Sequence, residues 1–474
     1  VANDPVLVLQ MQRMGDLILS FPLMLWLSRC YPGRPIHIVA EDSFFRPLMP
    51  ISPHVAYISW KDAATGALAG RHYRLVANLS IREEAARLAG SLDADIKVGP
   101  VREADGTLRV RGNWQLYRAS LVGQGRHNRF HWADLNALDM VPLDALRLTN
   151  FDTPRTPEAG NDRIGLFVGA SEPGKRPDAG FYAGLARGLL DRGLKPVLLG
   201  GPDDMPLAEA VRAESRLPLV NFVGRMTLSE LIEYGKTLAL MITPDTGPMH
   251  LAAWTGLPTL NISVGHVNPW DTGPYQPGHL VLRSTASCAR GCWSCRWERC
   301  PCRAGLAPQP VAALAALVLR GPRARLGRVH LPGLELFESA RTDLGLFTLR
   351  RLGPARQQNA ADLAGEFWRC FFLWRIATQP PQPVEPVLAA WTALAGAYPR
   401  LARSAKSALP VLGRIVARQS RGGAAAPGAL AEVRPFWRPL ASYLEMTGQN
   451  ADMAPGWTRS SLELLERLAV IVAG

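Results

Sequence analysis

The stretch Leu238–Leu260 constrains the chain most. Leu238–Thr243 is apolar or β-branched at every position and reads as a buried strand. Asp245-Thr246-Gly247-Pro248 breaks it, an apolar helix follows over Pro248–Thr255, and Thr259–Ser263 reads as another strand. A strand that passes through a short loop and a helix into a further strand is a crossover unit, so the strands lie parallel. Pro248 suits the first helical turn, where its missing N–H is not needed. Thr246 or Asp245 can cap that turn. The free N–H groups at the helix start then face the crevice at the strand ends, where a phosphate fits. His250, in the same turn, reaches the same spot.

The alternation is not confined to this stretch. Val6–Gln10 reads as a strand, the loop Met11–Asp16 follows, Leu17–Cys30 is an apolar helix, and Pro35–Ala40 is the next strand. Further strands are expected at His54–Ser59, Arg74–Leu79 and Ile96–Val98. After a loop rich in Pro, Thr, Gly and Asn at Asp152–Asp162, a second series begins with Arg163–Gly169. It continues through the helices Ala179–Arg192, Pro206–Ser215 and Thr227–Lys236, the last entered by a T-L-S-E capping box. This predicts an α/β chain with two doubly wound domains in tandem, over residues 1–155 and 160–320. Beyond them strand signals fade. Helices are expected at Ala360–Ile376, Val387–Tyr398, Leu401–Gln419, Arg438–Met446 and Ser460–Val472, giving a mostly helical extension over residues 329–474.

Charge separates the same regions. Of 474 residues, 53 are basic and 40 acidic. From Arg303 onward there are 21 basic and 11 acidic residues, a surplus of ten; the first 302 carry 32 and 29. A nearly neutral body with a basic extension points to an anionic partner for the extension, a membrane surface before nucleic acid, since no zinc-finger, RNP or KH signature is present. Trp368-Arg369, Trp374-Arg375 and Trp437-Arg438 suit a membrane interface or an anionic glycan, or else the aromatics are core and the arginines solvated. The longest uncharged stretch, Thr246–Trp270, is broken by Gly and Pro, so no transmembrane helix is expected. The N-terminus lacks the basic start of a signal peptide. Seven cysteines in this length exclude a disulfide scaffold.

The segment Asp-Thr-Gly-Pro-x-His-Leu-Ala-x-x-x-Gly-x-Pro resembles the donor-site signature of the bacterial ADP-heptose:lipopolysaccharide heptosyltransferases, glycosyltransferase family 9. Other features of that family occur in order: Arg13-Met14-Gly15-Asp16 after the first strand, Phe167–Lys175, Gly200-Gly201-Pro202-Asp203, and Gly224–Leu231. The resemblance covers about residues 6–305. It implies the GT-B architecture, two Rossmann-like domains facing across a cleft, with the acceptor on the first and the nucleotide-sugar on the second. It further implies Asp16 as the base that takes the acceptor hydroxyl proton, and Lys175 at the donor pyrophosphate. Here Arg176-Pro177 stands where the family has an aromatic residue and Pro, so Arg176 is a second candidate for the phosphates. Ser171 in the same loop is a phosphate donor candidate, Asp203 a ribose contact, and Met226 and Thr227 line the adenine. Asp245 would contact the sugar, Thr246 and Gly247 the diphosphate, and His250 completes the donor set. The Phe130–Asp134 stretch resembles one that shapes the acceptor side.

The expected activity is an inverting, metal-independent transfer of heptose or a related sugar from ADP-heptose or a close nucleotide-sugar. The acceptor would be a lipopolysaccharide core or other surface glycan, and the site of action the cytoplasmic face of the inner membrane. The alternatives are a relative with another donor sugar or a protein acceptor, and a silent nucleotide-sugar-binding homologue. No cofactor is required by this reading. Cys288, Cys292, Cys295, Cys300 and Cys302 nevertheless lie within fifteen residues, in a loop at 288–302. Such spacing can hold a structural Zn or an Fe–S cluster, form disulfides, or remain a loop of free thiols.

Overall fold

Continuous apolar runs bounded by tight loops can be buried on both faces, as strands of a parallel sheet between helices must be. In the computed structural model, which describes residues 4–286, 295, 297, 300–353, 358–377, 381–419 and 433–473, they build two sheets. The first contains β1 (Val6–Leu9), β2 (Ile36–Ala40), β3 (Ala56–Ser59), β4 (His72–Asn78), β5 (Asp93–Arg102) and β6 (Leu108–Arg111), in the order β3-β2-β1-β4-β5-β6. All neighbours are parallel except β6, which returns antiparallel along β5. The second contains β7 (Arg163–Phe167), β8 (Lys195–Leu199), β9 (Val220–Asn221), β10 (Leu240–Pro244), β11 (Thr259–Ser263) and β12 (Leu280–Ser284). These run parallel in the order β12-β11-β10-β7-β8-β9. Both sheets are doubly wound, with the order reversing beside β1 and beside β7, and such reversals are where these sheets take ligands. The chain is α/β, with the two Rossmann-like domains of the GT-B architecture and a helical C-terminal part.

The second sheet does not stop at β12. β13 (Leu334–Arg341) and β14 (Phe347–Leu352) form a hairpin that pairs antiparallel along it, with Val281 opposite Phe337. The sequence reading expected no strand in this segment and missed β6 and β12 as well. In β13 and β14 charged residues interrupt the apolar run. Glu338 is nevertheless buried, because Arg323 and Arg350 both pair with it. Arg351 holds Glu335 at 2.5 Å.

Four helices of the functional argument lie outside the extension or begin it: α1 (Met14–Ile18), α2 (Asn113–Ser120), α3 (Gly247–Trp254) and α4 (Ala360–Ile376). After α4 come α5 (Glu385–Ala397), α6 (Pro399–Gln419), α7 (Arg438–Asn450) and α8 (Pro455–Ala473). Prolines in the first turn, Pro386, Pro399, Pro439 and Pro455, open all four. The extension is not a separate body. One hydrophobic core contains Phe21, Trp26, Tyr117 and Phe130 of the first domain together with Phe367, Trp368, Phe372, Trp391 and Trp437 of the extension. Tyr117 and Phe372 have ring centroids 4.4 Å apart. Asn450 receives the Val110 N–H at 2.7 Å and donates to its carbonyl at 3.1 Å, closing the edge strand β6. Ser442 donates to Ser120 O at 2.6 Å.

This decides two of the three Trp–Arg pairs for the core. Trp368 and Trp437 are fully buried, and their indole N–H groups donate to Phe436 O and Ala405 O, each at 3.0 Å. Arg369 pairs with Glu366 of its own helix at 2.5 Å. These two aromatics present nothing to a membrane, whereas Trp374 is half-buried and Arg375 exposed. Among the described residues no helix is long and apolar enough to cross one.

Candidate active site

The carboxyl end of β1 delivers α1, and the carboxyl end of β10 delivers α3. These two helices, one from each domain, pack against each other. Glycine makes the approach possible. A Cβ on Gly15 would lie 3.2 Å from the His250 ring and 3.3 Å from Gly247 Cα. Real Cβ contacts are rarely that close to backbone, so a larger residue at 15 would force the cleft open at this point.

Asp16 occupies the third position of α1, and its Oδ2 accepts the Arg13 N–H at 3.3 Å. The carboxylate thus fixes the start of its own helix while facing the cleft. Burial raises its pKa above the ordinary carboxylate value; Arg118 opposes the rise most strongly, and Arg13 and Lys175 add to that opposition. Desolvation thus makes Asp16 more basic than an ordinary carboxylate, and the nearby cations limit that rise.

At the opposite wall, Thr246 precedes α3 with an extended backbone and makes no side-chain cap. Pro248 has no N–H and the Met249 N–H is taken by Thr246 O at 3.0 Å, which leaves the Gly247 N–H at the mouth of the helix, where an anion can take it. Asp245 is half-buried, with Oδ1 accepting the Thr272 hydroxyl at 2.8 Å. Burial raises its pKa, Lys175 lowers it, and Asp16 raises it. Lys175 thus acts electrostatically on both aspartates, one from each domain. Its Nζ lies 3.5 Å from Ser171 Oγ and 3.7 Å from Glu172 Oε1. His250 is buried and driven down to about 4 by desolvation, so its imidazole is neutral at pH 7. Its Nδ1 has no hydrogen-bond partner among the described residues.

Three further candidates sit differently. Arg176 forms an ion pair with Asp204 at 2.7 Å, and Asp204 also accepts the Gly201 N–H at 2.9 Å. Arg176 therefore ties the Lys175 loop to the end of β8, while Asp203 beside it is exposed. Thr227 spends its side chain on the capping box with Glu230, and Met226 packs against the apolar cluster of Phe167, Leu199 and Leu257.

Sequence reasoning missed Arg118. It projects from α2 with its guanidinium 4.7 Å above the Trp132 ring, and it is the largest charge acting on Asp16. No motif marks it, because α2 is remote in sequence from α1. The Phe130–Asp134 stretch was noticed but forms a seam between the domains. His131 Nε2 donates to Gly273 O at 2.9 Å, a tautomer fixed because Nδ1 accepts the Ala133 N–H at 3.1 Å. Asp134, fully buried, accepts Tyr275 OH at 2.5 Å and the Phe347 N–H at 2.8 Å, with Arg341 at 3.7 Å. First domain, second domain and extension thus meet on one carboxylate. Beside it, Asp271 of the second domain accepts Asn128 Nδ2 of the first at 2.7 Å.

Of the cysteine cluster, Cys288 and Cys292 lie outside the described residues. Cys300 and Cys295 have their sulfurs 3.5 Å apart, and buried Cys302 accepts the Gly265 N–H at 3.2 Å. Among the described residues no three His, Cys, Asp or Glu side chains converge as a metal site.

With this geometry in place, the comparisons with known proteins are informative. Residues 137–297 match the family described as glycosyltransferase family 9 (heptosyltransferase). The chain is 26% identical over 309 residues to lipooligosaccharide heptosyltransferase 2 of Haemophilus influenzae, covering 59% of this chain and 88% of the relative. The protein of the same name from Haemophilus ducreyi is 23% identical over 312 residues, with the same coverage. Among solved structures, that of the E. coli ADP-heptose lps heptosyltransferase II aligns at 20% identity and a TM-score of 0.49, covering 67% of this chain and 99% of that one.

Proposed function

We propose that this chain, whose residues 137–297 belong to glycosyltransferase family 9, transfers heptose from ADP-heptose, or a close nucleotide-sugar, to a lipopolysaccharide core or related surface glycan. The observation that supports it most is the meeting across the cleft of Asp16 from one domain with Lys175, Asp245 and the uncapped start of α3 from the other. An inverting transfer needs this division of labour. The acceptor hydroxyl attacks the anomeric carbon while Asp16 takes its proton, and the bond to the diphosphate breaks on the opposite face. The leaving diphosphate gathers negative charge, which Lys175 and the Gly247 N–H at the mouth of α3 offset. On this reading Asp245 orients the sugar through its hydroxyls, and neutral His250 closes the wall beside Gly15. Ser171 completes the phosphate loop, and Met226 and Thr227 lie on the nucleotide side. Arg176 and Asp204 act together, positioning the loop rather than holding phosphate directly. The charge offset comes from a lysine and backbone dipoles, so transfer should proceed in the presence of EDTA.

The test is a ligand panel followed by a transfer assay. ADP and ADP-heptose should raise the melting temperature more than uridine or guanosine diphosphates do. At about 100 times Kd the added stability is about 2.7 kcal/mol. Heptose should then pass to a lipid A–oligosaccharide acceptor. Preferential stabilisation by another nucleotide, or hydrolysis of the donor with no acceptor product, would contradict the assignment.

A further inference from the structure

We infer that the outward face formed by α5 and α6 docks this protein on an anionic lipid surface. The inference goes beyond the proposed transfer and does not depend on the sugar. α6 carries Arg400, Arg403, Lys406, Arg414 and Arg418 and not one acidic residue. All five are exposed. Positions 400, 403, 407, 411, 414 and 418 follow one another at steps of three and four, so they share one face of the helix. Val411, 44% exposed, lies in the middle of that stripe.

The density of unpaired charge sets this face apart. Some surface arginines are held by carboxylates, as in Arg46 with Asp42, Arg74 with Asp95, Arg102 with Glu83 and Arg111 with Glu103, and others, such as Arg216 and Arg225, stand among the described residues without one. Among the described residues no carboxylate pairs with the five cations of α6. Lys406 donates to Ala473 O at 3.1 Å, a carbonyl that leaves its charge in place. Basic composition alone does not place five unpaired cations on one helix.

The neighbour decides what kind of anion fits. α5 packs along α6, and after the exposed Glu385 at its first position it contains no charged residue. Leu388, Ala389, Thr392, Ala393, Gly396 and Ala397 face solvent on it. A neutral, small-residue face beside a cationic one matches a bilayer interface, where apolar side chains enter the headgroup boundary and cations meet the phosphates. A nucleic-acid footprint would ask for cations and hydrogen-bond donors across its width, which α5 does not provide. The surface lies on the membrane; no described helix enters it.

The experiment is flotation of the full chain with vesicles of phosphatidylcholine alone, or of equal parts phosphatidylcholine and phosphatidylglycerol. The wild type should float with the anionic vesicles only and be released as salt rises. The combined variant Arg400→Gln, Arg403→Gln, Arg414→Gln, Arg418→Gln should bind them at least about a hundredfold more weakly, with its circular dichroism and nucleotide-induced stabilisation unchanged. Leu388→Glu, which alters the neutral helix alone, should weaken binding by a smaller factor. Three results would overturn the inference: wild type that ignores anionic vesicles or binds neutral ones equally, a folded fourfold variant that still floats, or binding of duplex DNA lost in the variant while vesicles are ignored.

Discussion

Two of the contacts between the domains are built differently. At the cleft, Gly15 closely approaches Gly247 and His250, and at the far end of the same helix Trp254 stacks edge-on against Phe21 and donates to Ile51 O at 2.7 Å. At the seam, Asp134 is shared by Tyr275 and the Phe347 N–H, and the extension packs its aromatics into the first domain's core while pairing its hairpin with the second sheet. The first contact is the lighter one, a close backbone approach with one indole at its outer end. The second is heavier, because separating it would expose many aromatics and unpair buried polar groups. The molecule is therefore fastened most heavily at the seam, and the reacting groups lie at the lighter contact.

The largest expected effect breaks the seam. Trp368→Ala removes a fully buried indole and should cost about 3–5 kcal/mol of stability, read from denaturant midpoints. Because the core is shared, the first domain and the extension should lose structure in one transition. Two separate transitions would show the extension to be an independent body.

Gly15→Val addresses the lighter contact at the cleft. The added methyl groups would meet Gly247 and His250 and hold the cleft apart. Transfer should fall by about a hundredfold, the cost of a misplacement of about 1 Å between reacting groups, while the melting temperature stays within a few degrees of wild type. Unchanged transfer would mean that the two helices need not touch during reaction.

The seam should also respond to pH. Burial raises Asp271 to about 8, against the hydrogen bonds from Asn128 and Asn268 and the nearby Arg129 charge. A carboxyl whose folded pKa is raised binds more protons folded than unfolded. Stability is then fully present below the unfolded value near 4 and is lost as pH rises towards 8. Asp271→Asn should flatten that decline, gaining on the order of 1–2 kcal/mol at pH 8 over pH 5 relative to wild type. A parallel pH profile in both proteins would show that Asp271 does not titrate there.

The smallest effect concerns Arg118. It lowers the Asp16 pKa against the rise caused by burial, so Arg118→Gln should move the acid limb of kcat/KM to higher pH. A shift of a few tenths of a unit up to about one unit is expected, typical of one nearby charge. A merely structural role would lower the rate at every pH without moving the limb.

Much of the fold was legible because buried parallel strands are continuous apolar runs, and both doubly wound domains announce themselves that way. β13 and β14 were not, since Glu338 is buried by arginines that a linear reading counts as surface charge. The extension's helices could be read, but the burial of Trp368 and Trp437 could not, because helical spacing does not say which face meets another domain. In the site, the Arg13–Asp16 loop and the Asp245–Pro248 turn carry fixed spacing and were found. Arg118 was hidden because its partner lies about a hundred residues away. Asp204 was hidden by one position of register beside Asp203.

The central claim is that Asp16 acts as the base at a cleft whose opposite wall holds the donor. Asp16→Asn keeps the side-chain volume and can still meet the Arg13 loop, but it cannot take a proton. Donor affinity, measured by calorimetry with ADP-heptose, should stay close to wild type, while transfer falls by about 10²–10⁴-fold, the usual contribution of a general base. Transfer within about tenfold of wild type at unchanged affinity would remove Asp16 from that role, and with it the account of the cleft given above.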